Sequence, residues 1–318
     1  MKFLRRTLLC ALSATALVGM TAPANAETAV NPVTASPYLY GWGDDIDPAQ
    51  VMRTTGVQAF TLAFILSDGG CNPKWDGQRE LTGPDAAKIE KIRSAGGDVV
   101  PSFGGWAGNK LGEKCANETD LAGAYQKVID AYELKAIDID IEASEFETPA
   151  VQDRVLGALK IVKSKNPGIS TVITMGTART GPETHGQRLI DQAKKIGADI
   201  DVWTLMPFNF GGSDMAADTI TAVDGLRSKL SSTFGYSDAE AYKRSGISSM
   251  NGITDQKETV TPANFTAMRD YAVKNHLGRF TFWAANRDQG NCGQPAQNCS
   301  GINQGSYEFS KIVAGYTG

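Results

Sequence analysis

The chain has 318 residues, 42% of them hydrophobic, with 35 acidic against 31 basic side chains and a net charge of −4. That is enough chain and apolar content for one large folded domain. The acidic balance argues against nucleic acid or anionic lipid as a partner and leaves a neutral ligand unopposed.

The N-terminus opens with Lys2, Arg5 and Arg6, continues with the apolar run "TLLCALSATALVGM", and reaches "ANA" over Ala24–Ala26. A basic segment, an apolar segment and small residues in that order read as a signal peptide over 1–26, cleaved before Glu27, which makes the protein secreted and extracellular. The run is short for a membrane span and no other candidate is visible, so no membrane partner is expected. Removing Lys2, Arg5 and Arg6 leaves 28 basic against 35 acidic side chains, and a more acidic mature chain. Residues 27–36 read as a loose arm and 37–318 as a single domain.

Cys10 leaves with the leader, and Cys71, Cys115, Cys292 and Cys299 remain, an even number in an oxidising compartment. Cys292 and Cys299 close the short loop "CGQPAQNC" and are paired on that ground; Cys71 and Cys115 pair by exclusion. A zinc site is the rival use of these thiols, but no histidine lies near them in sequence, and no metal or other cofactor is expected.

From Tyr38 onward, apolar strand-like segments alternate with amphipathic helical ones. The strands are "YLYGW" from Tyr38, "VQAFTLAFIL" from Val57, "DVVPSFGGW" from Asp98 and "AIDIDIE" from Ala136. Then come "STVITMG" from Ser170, "DVWTLMPFNF" from Asp201, "GISSMNGI" from Gly246 and "FTFWAANR" from Phe280. Between them, "DLAGAYQKVIDAYEL" and "TPAVQDRVLGALKIVKSKNPG" carry apolar residues at three- and four-residue spacing. Thr148 before Pro149, and Thr261 before Pro262, are helix-start signals; Gly278 reads as a helix stop. Eight strands alternating with helices indicate an α/β fold, a (β/α)8 TIM barrel; a doubly wound open sheet is the rival. In either fold ligands bind beyond the C-terminal strand ends, which puts the end of "AIDIDIE" at the active face.

In that strand Asp138, Asp140 and Glu142 alternate with Ile137, Ile139 and Ile141, so the acids share one face and the isoleucines the other. In a barrel the acids point inward and climb toward the open mouth, with Glu142 the most accessible. Neighbouring buried carboxyls cannot all ionise, so one or more must hold its proton toward neutral pH, as a general acid requires. A solvated edge strand and a calcium or magnesium site are the competing readings. The isoleucines oppose the first, and three acids on one strand make a poor cation cage.

The segment resembles the strand-four motif of family-18 glycoside hydrolases, Asp-Gly-x-Asp-x-Asp-x-Glu. Its last three acids match, whereas Lys135 and Ala136 stand where the family has Asp and Gly; Lys135 belongs to the strand base, where the change concerns stability. "SFGG", Ser102–Gly105, resembles the strand-three motif, whose glycines leave room for the sugar. "MPFN", Met206–Asn209, resembles the strand-six motif of Met or Gln, any residue, Tyr, then Asp or Asn. Trp283 matches the strand-eight tryptophan under the sugar. The motifs span nearly the whole domain, in order, and the sequence looks most like secreted single-domain actinobacterial chitinases.

What the resemblance implies is a chitinase cutting β-1,4 bonds between N-acetylglucosamine units with retention, the substrate's acetamido group serving as nucleophile. Glu142 would be the acid and base, Asp140 would orient the acetamido group, and Asp138 would share a proton or hydrogen bond with Asp140. Tyr40, Trp106, Met206, Phe208, Asn209 and Trp283 would bind sugar. Phe208 lacks the hydroxyl of the family's tyrosine; either another hydroxyl, such as that of Tyr40, replaces it, or activity is weaker. His185 and His276 read as surface helix residues. The partner is chitin or its oligosaccharides, and a monomer is expected. An endo-β-N-acetylglucosaminidase acting on N-glycan cores and a non-catalytic carbohydrate-binding barrel are the alternatives.

Overall fold

The computed structural model describes residues 30–42, 46–290 and 292–318. The expected signal peptide lies outside them. Among the described residues, eight parallel strands run through the sheet in chain order: β1 (Tyr38–Tyr40), β2 (Ala59–Ser67), β3 (Asp98–Gly104), β4 (Ala136–Ile141), β5 (Ser170–Gly176), β6 (Val202–Met206), β7 (Ser245–Met250) and β8 (Arg279–Trp283), with the short segment Pro73–Trp75 added antiparallel to β2. Each is followed by a helix: α1 (Pro48–Thr55), α2 (Pro84–Ser94), α3 (Glu118–Tyr132), α4 (Pro149–Lys165), α5 (Thr184–Ile196), α6 (Met215–Phe234), α7 (Pro262–Asn275) and α8 (Glu308–Ala314). This is the expected (β/α)8 barrel. All eight sequence-derived strands are present.

The seam between β1 and β8 is closed by the segment before β1. Phe280 N–H donates to the Thr34 carbonyl at 2.9 Å, the Thr281 hydroxyl to the Ser36 carbonyl at 2.5 Å, and Asn286 bonds both backbone groups of Tyr40. Val33 packs with Val100, Ala136, Val172 and Val202, the inward-facing residues at the barrel's foot. The described part of the expected loose arm, residues 30–36, is therefore a plug. It is ordered because it covers an apolar barrel end that water would otherwise meet.

Ile137, Ile139 and Ile141 are fully buried in the layer between sheet and helices, so the acids do face the barrel axis. Both Pro-led helices begin where expected, and Thr261 forms a capping box with Asn264. The end of α7 differs from expectation. Asn275 is its last residue and His276, at φ 53°, turns the chain; Gly278 is needed two residues later, where a Cβ would meet the Lys243 carbonyl at 2.2 Å.

Both expected disulfides form. Cys292–Cys299 closes the loop after β8, and Cys71–Cys115 ties the loop after β2 to the short helix Leu111–Lys114 on the active face. The Cys71–Cys115 link spans 44 residues, so chain entropy assigns it up to about 4 kcal/mol. Replacing both Cys71 and Cys115 with Ser should lower the urea midpoint of the oxidised protein clearly. An unchanged midpoint would show that these loops are held by other contacts.

Candidate active site

The foot of the acidic strand is a fully buried polar cluster. Asp138 Oδ2 accepts from the Tyr38 hydroxyl at 2.8 Å and the Ser102 hydroxyl at 2.6 Å; Oδ1 accepts from Thr174 at 2.7 Å and from Arg279 at 2.9 Å. Arg279, also fully buried, bonds Thr61 and Thr174 as well. Four donors from four other strands thus occupy both oxygens of Asp138, and none comes from Asp140. Asp138 does not share a proton or hydrogen bond with Asp140 as expected. It is the counter-ion of a cation inside the barrel, and it does not line the cleft. Lys135 sits at the strand base, paired with Asp98 at 2.9 Å.

Two residues up, Asp140 reaches a cleft of about 890 Å³ and leaves Oδ1 buried without a partner. Burial, then the charges of Glu142 and Asp138, raise its proton affinity well above that of an ordinary aspartate. Glu142 follows at the cleft wall, where the strand hands over to the short helix Ala143–Glu147. Burial pushes it to about 7; Lys110 opposes that rise and Asp255 adds to it. Glu145, one helical turn on, is buried and pushed to about 8, chiefly by burial. The sequence reading missed Glu145 and Lys110. The three-residue step from Glu142 was visible, but nothing local showed which helix face would be covered.

Trp283 lines the cleft within an aromatic stack, its ring 5.5 Å from Phe64 at an interplanar angle of 6° and 5.2 Å from Tyr40. Met206, Phe208, Asn209 and Trp106 also line the cleft, as expected, with Trp106 74% exposed. Tyr40 does not. It lies behind Trp283 and its hydroxyl donates to the Gln297 carbonyl, so it cannot supply the hydroxyl that Phe208 lacks. The glycines of "SFGG" differ in purpose too. A Cβ on Gly104 would meet the Asp140 carbonyl at 2.3 Å, and one on Gly105 would meet the Phe64 ring at 2.6 Å. They let β3 close onto β4 and the aromatic stack rather than clear a sugar path.

Asn209 is held at φ 56°, its amide donating to Asp255 at 2.9 Å and accepting from Gln256 N–H at 3.1 Å. Glu258 clamps the same loop: its carboxylate accepts from the N–H groups of Asn209, Phe210 and Gly212 and from the Thr254 hydroxyl. Neither Asp255 nor Glu258 was among the expected site residues. His185 packs against Phe146 on α5 and His276 is exposed, both away from the cleft.

No protein-family profile matches the chain. The chitinase catalytic domain of Pyrococcus furiosus superposes with a TM-score of 0.82 at 27% identity, covering 91% of this chain and 99% of that one. The "Probable bifunctional chitinase/lysozyme" of Escherichia coli (strain K12) is 28% identical over 294 residues, 85% of this chain and 33% of that protein. "Endochitinase 11" of Metarhizium anisopliae is 28% identical over 262 residues, 76% and 50% respectively. The chain is similar in sequence and fold to chitinases, in agreement with its resemblance to family-18 glycoside hydrolases. It spans a third to a half of the length of these two curated relatives. The three-acid motif divides into a structural foot, Asp138, and two groups presented to the cleft, Asp140 and Glu142.

Two outcomes check this division. Asp138→Ala leaves the Arg279 guanidinium buried and unpaired, and should cost about 3–5 kcal/mol in urea unfolding; a loss below about 1 kcal/mol would mean the cluster is not the strand's anchor. For Glu142, the folded state holds the proton more tightly than the unfolded chain, so wild-type stability falls as pH rises from the ordinary value of 4.5 to about 7. Glu142→Gln cannot ionise. Its stability relative to wild type should grow between pH 5 and pH 8 by up to about 3 kcal/mol. A difference independent of pH would contradict the raised proton affinity.

Proposed function

We propose that the protein is a secreted chitinase that hydrolyses β-1,4 bonds between N-acetylglucosamine units with retention of configuration. The observation that carries this reading is the free Oδ1 of Asp140, a buried acceptor in the wall of a cleft that also presents Glu142 and the Trp283 ring. A buried acceptor without a partner is costly, so a ligand bringing an N–H group to that point is favoured. An acetamido group on a pyranose stacked against Trp283 brings one. The chitinases among the similar proteins support the same substrate class. Export rests on the basic, apolar and small-residue order of the N-terminus and on the two disulfides.

Glu142 donates its proton to the glycosidic oxygen. As the bond from the anomeric carbon to that oxygen breaks, the acetamido carbonyl oxygen bonds to the same carbon from the opposite face. The product is an oxazolinium ion, and its positive charge, with the N–H still attached, lies beside Asp140. Water then attacks the anomeric carbon and passes a proton to the Glu142 carboxylate, and the oxazolinium ring reopens to the acetamido group. Two inversions at one carbon restore the β configuration. Most retaining glycosidases need a second carboxyl as nucleophile; this family is an exception, because the substrate carries its own. The cation forming beside Asp140 offsets the burial that raises the proton affinity of its carboxyl, and so favours the carboxylate there.

With chitin oligomers as substrate, Glu142→Gln should lose roughly 10²–10⁴-fold or more in kcat while still binding oligomer, and Asp140→Asn should also lose rate. Oligomers of glucose and fully deacetylated chitosan should not be cut, and NMR should show the β anomer first. Brisk cleavage of a substrate without the acetamido group, or an α anomer as first product, would refute the mechanism. Release of N-glycans with no action on chitin oligomers would move the substrate to glycoprotein.

A further inference from the structure

Among the described residues, every charged side chain lining the cleft is acidic: Asp140, Glu142, Glu183 and Asp255. The cation that serves them lies behind the wall. Lys110, 2% exposed, comes from the loop after β3 and donates to the carbonyls of Gly105 and, at 2.8 Å, Ala107. The Gly105 N–H in turn donates to the Asp140 carbonyl at 2.8 Å, so the Gly105 residue alone links the ammonium to the main chain of Asp140. Glu145 closes the other side, its free Oε2 packed beside Gly104. Two carbonyls satisfy N–H groups but carry no net charge. A buried ammonium needs an anion nearby, and here that requirement falls on the carboxyl cluster. Burial lowers the ammonium's proton affinity, and Glu145, Asp140, Glu142 and Glu113 act to restore it.

Asp255 lines the same cleft as Asp140 and Glu142. It stands on the turn between the short strands Gly252–Ile253 and Thr259–Val260, exposed but tethered by Asn209, on a loop that Glu258 clamps. Among the described residues, two other cations are buried: Arg279 is already matched to Asp138, and Arg287 donates to the carbonyls of Asn251 and Ile253, next to the turn that carries Asp255.

We propose that Lys110 and Asp255 are opposing positioning residues for the cleavage step: the buried ammonium, joined through Gly105 to Asp140, places a cation behind the acidic wall, and the Asp255 carboxylate places an anion in the cleft that Glu142 lines. Neither touches the reacting atoms. Together they set the pH at which Glu142 passes from acid to base, and this rests on the reading of Glu142 as proton donor. The two are unequal in kind. Lys110 acts through protein and is little screened by salt, whereas Asp255 acts across water and is screened.

The test uses the full chain with ¹³C-labelled glutamate, following the Glu142 carboxyl by NMR against pH, alongside the pH dependence of kcat/KM on a chitin oligomer. Lys110→Gln keeps a donor for the two carbonyls and removes the charge. It should raise the Glu142 midpoint by roughly one unit, and Lys110→Arg should bring it back. Asp255→Asn should lower the midpoint by roughly half a unit, and the shift should shrink in high salt. Because Asp255 is exposed, that variant remains a test if Lys110→Gln does not fold. Midpoints unmoved in both charge-removing variants, or moved in the same direction, would overturn the proposal. If the NMR midpoints move as stated while the kcat/KM profile does not follow, the electrostatic assignment stands and the proton-donor reading of Glu142 falls.

Discussion

The ion pair between Asp138 and Arg279 is the constraint on which the rest of the site depends. Both groups are fully buried, 2.9 Å apart, in the polar middle layer of the barrel. Neither could be there alone, since an unpaired charge in such a place costs more than most single contacts return. The serine, threonine and tyrosine hydroxyls around them serve as the solvation shell that water cannot provide. Tyr38, Ser102, Thr174 and Arg279 belong to β1, β3, β5 and β8, so the cluster joins strands on all sides of β4. Its effect is to hold the register of β4 against the barrel, and so the height at which Asp140 and Glu142 emerge.

Above that anchor the environment changes over two residues. Asp138 is saturated with donors. Asp140 is equally buried but keeps an oxygen free, and Glu142 meets the cleft. One strand therefore carries three carboxyls in three electrostatic settings: a structural anion, an acceptor waiting for a ligand, and an acid poised near neutrality. Chemically identical or near-identical side chains are given separate roles by burial and partners alone. The loops complete the arrangement. Glu258 binds three successive-turn N–H groups after β6, which keeps Phe208 and Asn209 at the cleft wall and ties them to the turn that carries Asp255.

Much of this was legible in the chain and some was not. The eight strands, the capped helices and the inward face of β4 follow from short-range periodicity, which a single segment carries within itself. Trp283, Met206, Phe208, Asn209 and Trp106 could be placed at the cleft because they lie in or beside motifs that resemble those of family-18 glycoside hydrolases, at strand ends that converge on one side of a barrel. Tyr40 was misplaced for an instructive reason: it shares β1 with Tyr38, two residues earlier, and only the packing against Trp283 decides which tyrosine faces the cleft. The arm before β1 reads as loose, yet Val33 finds an apolar barrel end to fill.

The sequence by itself determined the alternation of three acids with three isoleucines, and with it the presence of a buried acidic face at the mouth of an α/β barrel. Side-chain alternation along a strand is a local property of the backbone. Only the tertiary structure decided how each acid is charged. The partners that decide it are Arg279, 141 residues from Asp138; Lys110, separated from β4 by α3; and Asp255, on a loop after β7. Proton affinity in a folded protein depends on distance through space and on burial, and neither quantity exists until the chain has closed the barrel.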